Sequence, residues 1–125
     1  MAWEVVRVSS RRDYNGTPKA RVARGSIHFN GAAVELVGKN VYGGFAELMM
    51  DLEDGRIGVH FLEEKTDDAI AVHQSKSKGK PGRGAIITSR AHMRELFGEE
   101  GVSGASAQYA VSLDPNERDV LVLTQ

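Results

Sequence analysis

Four histidines, His28, His60, His73 and His92, are the imidazoles of this 125-residue chain. A zinc hydrolase helix places two histidines four residues apart with a glutamate between them, so that both imidazoles share one face. No pair here has that spacing. His28, His60 and His73 alternate with apolar residues and read as partly exposed strand positions. The acids form two clusters, Asp51, Glu53 and Asp54, and Glu63, Glu64, Asp67 and Asp68. Paired carboxylates do acid–base work when burial drives their pKa values apart. Both clusters fall at turns, where carboxylates are solvated, and the ligand spacing of a calcium loop is absent. The chain has no cysteine, which excludes disulfides, thiolate metal sites and cysteine nucleophiles. The residue types point away from an enzyme and from any metal or cofactor.

The basic residues carry more information. Gly79–Gly84 reads GKPGRG, which lacks the Gly-Lys-Ser/Thr ending of a nucleoside-triphosphate loop. It suits a phosphate backbone better, because lysine and arginine give salt-sensitive, sequence-independent affinity. The net charge of -1 conceals blocks of sign. Residues 1–25 carry six basic and two acidic side chains, and residues 73–94 carry six basic and none acidic. Residues 45–68 carry eight acids against Arg56 and Lys65, and residues 95–119 six against Arg118. Blocks of this kind make local fields that the total hides. The candidate nucleic-acid contacts are Arg11, Arg12, Lys19, Arg21 and Arg24 in the first basic block and Lys76, Lys78, Lys80 and Arg83 in the second. If about six of them reach phosphates, log K falls against log salt with a slope near -5. Only Tyr14 offers an aromatic ring beside the blocks, so duplex DNA is favoured over single strands.

These residues must be positioned by short elements. Trp3–Val8 is β-branched and predicts a strand. Residues 9–25 contain Asn15-Gly16 and Pro18 and form either a hairpin loop or an arm. SIHF predicts a strand, and Asn30 caps a helix over Gly31–Val37 that Gly38 ends. FAELMMDL and RIGVHFL form a hairpin about Glu53-Asp54-Gly55, and AIAVH is a further strand. Residues 73–84 are rich in Gly, Ser and Lys and predict an exposed, flexible basic loop. AIIT is a strand, Ser89 caps a helix over Arg90–Phe97, and Gly98 ends it. AQYAVSL and DVLVLT complete a second hairpin. Ala33, Leu36, Leu48, Ile57, Val59, Ile87, Leu96, Val111, Val120 and Val122 are the expected core.

The same phrase occurs twice. At an offset of 60, Ile27 falls on Ile87, Glu35 on Glu95, Leu36 on Leu96 and Gly38 on Gly98. Each copy runs strand, short helix, loop, strand, turn, strand. A unit this small cannot bury both faces alone, whereas two copies can interlock about a pseudo-two-fold axis. Over Arg24–Leu62 and Gly84–Leu123 this order resembles the AbrB family of swapped-hairpin DNA-binding proteins, including MazE-type antitoxins and MraZ-type regulators. Family members commonly have Ile-Pro before the helix, where this chain has Phe29-Asn30 and Ser89-Arg90. They commonly open the hairpin with Gly-Asp, where it has Gly43-Gly44-Phe45 and Ala105-Ser106-Ala107.

The expected fold is mainly β with short helices, a single-chain pseudo-dimeric AbrB-like β-barrel of two strand-helix-hairpin repeats. One domain spans 1–125, with an N-terminal strand and basic arm at 1–25, a first repeat at 26–72, the basic loop at 73–84 and a second repeat at 85–125. No apolar run approaches the ~18 residues that cross a bilayer, and Glu4 and Arg7 stand where a signal peptide needs an apolar core. A cytoplasmic protein without membrane contact is expected. The function expected is that of a small transcriptional regulator binding duplex DNA, without a cofactor, as a monomer or homodimer. The alternative is a protein-interaction module, antitoxin-like, inhibitory or a phage-type accessory protein, that does not bind nucleic acid.

Overall fold

The computed structural model describes residues 17–51, 53–77 and 79–124. The expected strand Trp3–Val8 lies outside them, as do Arg11, Arg12 and Lys78. Eight strands form a closed barrel. They are β1 (Lys19–Ala23), β2 (Ser26–Phe29), β3 (Phe45–Met50), β4 (Ile57–Leu62), β5 (Ile70–Ser77), β6 (Lys80–Thr88), β7 (Ala107–Leu113) and β8 (Val120–Thr124). Helix α1 (Gly31–Val37) follows β2, and α2 (Arg90–Phe97) follows β6 and runs into a 3-10 turn at Gly98–Gly101. Closure gives every strand a neighbour on both sides over part of its length, while the tip of the β5–β6 hairpin extends beyond the ladders to β2 and β3. Eight strands make an interior that side chains can fill.

Local chemistry sets the helix and turn boundaries. The Asn30 carboxamide oxygen accepts from Ala33 N at 2.9 Å, which caps α1. Gly38 ends α1 in the left-handed region, at φ 76, where a side chain is disfavoured. Ser89 caps α2, accepting from His92 N. The two-residue turn Arg24-Gly25 joins β1 to β2 with φ values of 53 and 80, the backbone of a type I′ hairpin. Asp51 and Asp114 build the β3–β4 and β7–β8 turns in the same way. Each carboxylate accepts from the backbone N–H groups two and three residues on.

The strand order is β1-β2-β6-β5-β3-β4-β8-β7, with β7 returning to β1. Every ladder is antiparallel. Exchanging β1–β4 with β5–β8 in order leaves this ring unchanged. In β2·β6 the pair Ile27↔Ile87 matches the 60-residue sequence offset. Ladder β4·β8 lies on the opposite side of the ring.

The interior is apolar. Ile27, Phe29, Val22, Val59, Phe61, Val72, Ile87, Met93 and Leu121 are essentially inaccessible. Phe29 and Phe61 meet edge to face, with centroids 5.8 Å apart. Among the expected core residues, Ala33, Ile57, Val59, Ile87 and Val111 belong to this cluster, and Leu36, Leu48 and Leu96 pack at its margin, partly exposed. Val120 and Val122 are buried, but Leu121 and Leu123 supply β8 to the cluster. Four successive residues of β8 are buried, so alternation cannot identify its inner face.

Two segments differ from expectation. Residues 73–84, expected as a basic loop, fall mostly in β5 and β6, a hairpin whose register shifts between Gln74 and Lys76. Gly84 lets β6 leave this hairpin close against β2, since a Cβ there would collide with the Phe29 carbonyl oxygen. Lys19–Ala23, expected within a loop or arm, is strand β1, paired on both sides.

Candidate nucleic-acid interface

Five neighbouring strands, β7, β1, β2, β6 and β5, contain no aspartate or glutamate. They carry Lys19, Arg21, Lys76, Lys80 and Arg83. The carboxylates of the described residues all lie elsewhere, on α1, β3, the loops, α2 and the 3-10 turn. Strands β4 and β8 are also free of acid, and Glu47 of β3 is the one carboxylate on a described strand. The wall is therefore set apart by its cations: every lysine and arginine of the described strands lies on β1, β6 and β5, while acidic turns at Asp51–Asp54 and Asp114–Asp119 border β3, β4 and β8.

The centre of the acid-free wall is a cross-strand row. Gln108 pairs with Arg21, Arg21 with His28, His28 with Ile86, and Ile86 with His73. On β1 the inward Ala20 and Val22 are buried while Lys19 and Arg21 are exposed, as a period of two requires. Lys19, Arg21, His28, Asn30 and Gln108 line a cleft of ≈ 290 Å³. The Asn30 side chain is occupied. Its oxygen accepts from Lys19 N and Ala33 N, and its nitrogen donates to Thr17 O at 2.7 Å. Asn30 thus pins the start of β1 beside the helix it caps. Burial, and then the Arg21 cation, hold the His28 imidazole below its ordinary pKa.

The other predicted contacts are distributed along the same wall. Lys76 and Lys80 flank the tip of the β5–β6 hairpin, where Lys76 faces Pro81 and Ser77 faces Lys80. Arg83 lies over Gly31 and forms an ion pair with Glu35. Arg24 sits in the β1–β2 turn, its N–H bonded to Ser103 O at 2.8 Å. The row through Ala23, Ser26 and Thr88 adjoins that turn, and Lys80 is eight residues back along β6. At ~3.3 Å per residue the two basic turns are about 26 Å apart. The blocks share one wall and occupy its opposite ends. Lys19 and Arg21 lie between them in the one cleft.

In the sequence His28 reads as a partly exposed strand position, and Gln108 carries no signal of its own. The alternation Lys19-x-Arg21 and Ser26-x-His28 is a signal that these side chains share outer faces. Nothing local could bring in Gln108, which lies 87 positions from Arg21 in sequence.

The opposite wall differs in character. Met49 and Met50 of β3 are exposed, at 38% and 42%, and the other exposed large apolar side chain of the described residues, Leu113 at 43%, ends β7 at the acidic β7–β8 turn. Met49 and Met50 border a shallow cleft of ≈ 260 Å³ with Ile57, Val120 and Val122, rimmed by Asp51, Arg56 and Asp114. Arg56 is bonded to Asp51 at 3.1 Å and approaches Asp54 at 3.5 Å. Among the described residues no group of three or more histidine or acidic side chains could hold a metal ion. No described helix is long and apolar enough to cross a membrane. No protein-family model matches the chain, and neither a curated protein nor a solved structure matches it.

Proposed function

We propose that this protein is a small regulator that binds duplex DNA through the wall formed by β7, β1, β2, β6 and β5. The observation that carries the reading is that every lysine and arginine of the described strands, Lys19, Arg21, Lys76, Lys80 and Arg83, lies on three strands of this wall, β1, β6 and β5 with β2 between, and none of these strands carries an acid. A polyanion laid along that wall meets Lys19, Arg21, Lys76 and Lys80, with Glu35 beside Arg83 as the carboxylate it must displace, so field and contact favour binding together. The ~26 Å between its basic turns matches about eight base pairs at ~3.4 Å each. Lys19, Arg21, Lys76 and Lys80 make phosphate contacts. Arg24 adds attraction from its turn. Arg83 has to exchange Glu35 for a phosphate before it contributes. The unchanged ring on exchanging the two halves supports a pseudo-dimeric, AbrB-like architecture, and the regulatory role rests on that resemblance. No step of this reading calls for a cofactor.

Fluorescence anisotropy with a labelled duplex, titrated at 50 mM and 200 mM salt, tests the proposal. Binding that weakens steeply with salt and varies little with sequence supports it. Absence of binding to any duplex at 50 mM refutes it. A protein-interaction module is the second reading, favoured by the exposed Met49 and Met50 of β3 beside the acidic turns. Methionine side chains adapt to varied partners, and surfaces of this kind mark contact sites. Retention on duplex DNA or heparin separates the two readings.

A further inference from the structure

We propose that the cleft between β1, β2 and β7 is a site for a single phosphate group, held by Lys19, Arg21, His28 and Gln108. This rests on the reading of the five-strand wall as the anion-facing surface and narrows it to one place. Lys19 and Arg21 stand two residues apart on β1, so both project outward from the same face. Arg21 is flanked in register by Gln108 on one side and His28 on the other. Cross-strand neighbours have Cβ atoms about 5 Å apart, close enough for three side chains to meet one tetrahedral anion. The guanidinium offers a fork to two phosphate oxygens, the ammonium a point charge, and the Gln108 amide a neutral donor. Asn30 shapes the cleft but gives its own hydrogen bonds to the backbone. A volume of ≈ 290 Å³ leaves room for part of a sugar beside the phosphate.

The scaffold does not require these charges. The exchange of halves that preserves the ring carries Gln108, Arg21 and His28 onto Phe45, Ala71 and Thr88. Phe45 pairs with Ala71, and Thr88 with Ser26. That counterpart row carries no charge, yet it closes the barrel equally well. Packing therefore leaves the cationic row without an explanation, and an anion supplies one.

His28 couples the site to protons. Facing it are Arg21 and Lys19 from β1, Ile86 from β6 and Asn30 at the end of β2, with Gln108 of β7 beyond Arg21. The next titratable group in the row is His73 on β5, beyond Ile86. None of these is an acid, and burial with the Arg21 charge keeps the imidazole neutral more readily than usual. A phosphate in the cleft supplies the missing negative charge and raises the His28 pKa. Binding then takes up a proton wherever the pH lies between the free and bound values.

The test is a 1H–15N NMR titration of the full chain with inorganic phosphate, against sodium chloride at equal ionic strength. Saturable shifts confined to Arg21, His28 and Gln108, with the His28 titration moving to higher pH, are expected. Arg21→Gln, at an exposed position, should weaken the saturable phase at least tenfold while leaving the backbone spectrum intact. A duplex with and without a 5′-phosphate separates the sources. Tighter binding of the phosphorylated end assigns a terminal monoester, and equal affinity with shifts at the cleft assigns the backbone diester. Phosphate shifts spread equally over Lys76, Lys80 and the cleft, with no saturation, overturn the site. If a duplex binds at low salt while phosphate leaves the cleft unmoved, the site is wrong and the wall reading stands. If phosphate saturates the cleft but no duplex binds, the site stands and the wall reading falls.

Discussion

Replacing Lys76 and Lys80 together with alanine should halve the salt dependence of DNA binding. Among the described residues, six cations were candidates for phosphate contact. Arg83 is paired with Glu35, and Arg24 lies in a tight turn about 26 Å from the hairpin tip. That leaves Lys19, Arg21, Lys76 and Lys80 on the wall. At ~0.9 counterion released per neutralised phosphate, four contacts give a log–log salt slope of about -3.6. Affinity should then fall about 150-fold between 50 mM and 200 mM salt. The double variant should show a slope of about -1.8 and weaken binding to all sequences alike. Both side chains are exposed at the hairpin tip, so the fold should survive. Anisotropy titrations at four or five salt concentrations measure both slopes. An unchanged slope in the double variant would show that the hairpin does not touch DNA. A loss of affinity for one sequence only would mean base recognition in place of phosphate contact.

Three further outcomes follow from the packing and the charges. Ile87→Ala, at a fully buried position paired with Ile27, should cost about 2–5 kcal/mol in denaturant titrations, and Leu96→Ala, partly exposed, distinctly less; equal costs would contradict the core assignment. Asn30→Ala removes the α1 cap and the clamp on β1, and should cost about 1–2 kcal/mol, while Asn30→Asp should restore the cap but not the bond to Thr17 O. The folded state holds the His28 pKa below its unfolded value, so stability is full above about pH 6.5 and declines as pH falls through the folded value; His28→Gln should flatten that decline, and an identical pH profile would remove His28 as its cause.

Much of the local structure was legible in the residues. Asn30 and Gly38 bracket α1, and Ser89 and Gly98 bracket α2, because a side-chain oxygen must satisfy the first free N–H groups and a residue at positive φ, left-handed at Gly38 and extended in ψ at Gly98, must end the helix. The hairpins at Asp51 and Asp114 and the alternation of Ile57, Val59 and Phe61 were equally local. The inner face of β8 was not, because Val120–Leu123 is apolar at every position and burial on both sides erases the period of two. Residues 73–84 carry turn-like composition, yet they pair within the β5–β6 hairpin, which the β2 ladder anchors only beyond them, at Ala85–Thr88. In β1 a distant ladder does decide, since four of its five residues gain a partner in β7 some 90 positions away. The basic blocks were visible as charge in the sequence, and so was their separation from the acids along the chain. The β1–β2 hairpin pairs Arg21 with His28 locally, but only closure of the barrel through β7 could add Gln108 to that row and gather the cations of β1, β6 and β5 on one side, because strand order is set by long-range pairing that no local pattern encodes.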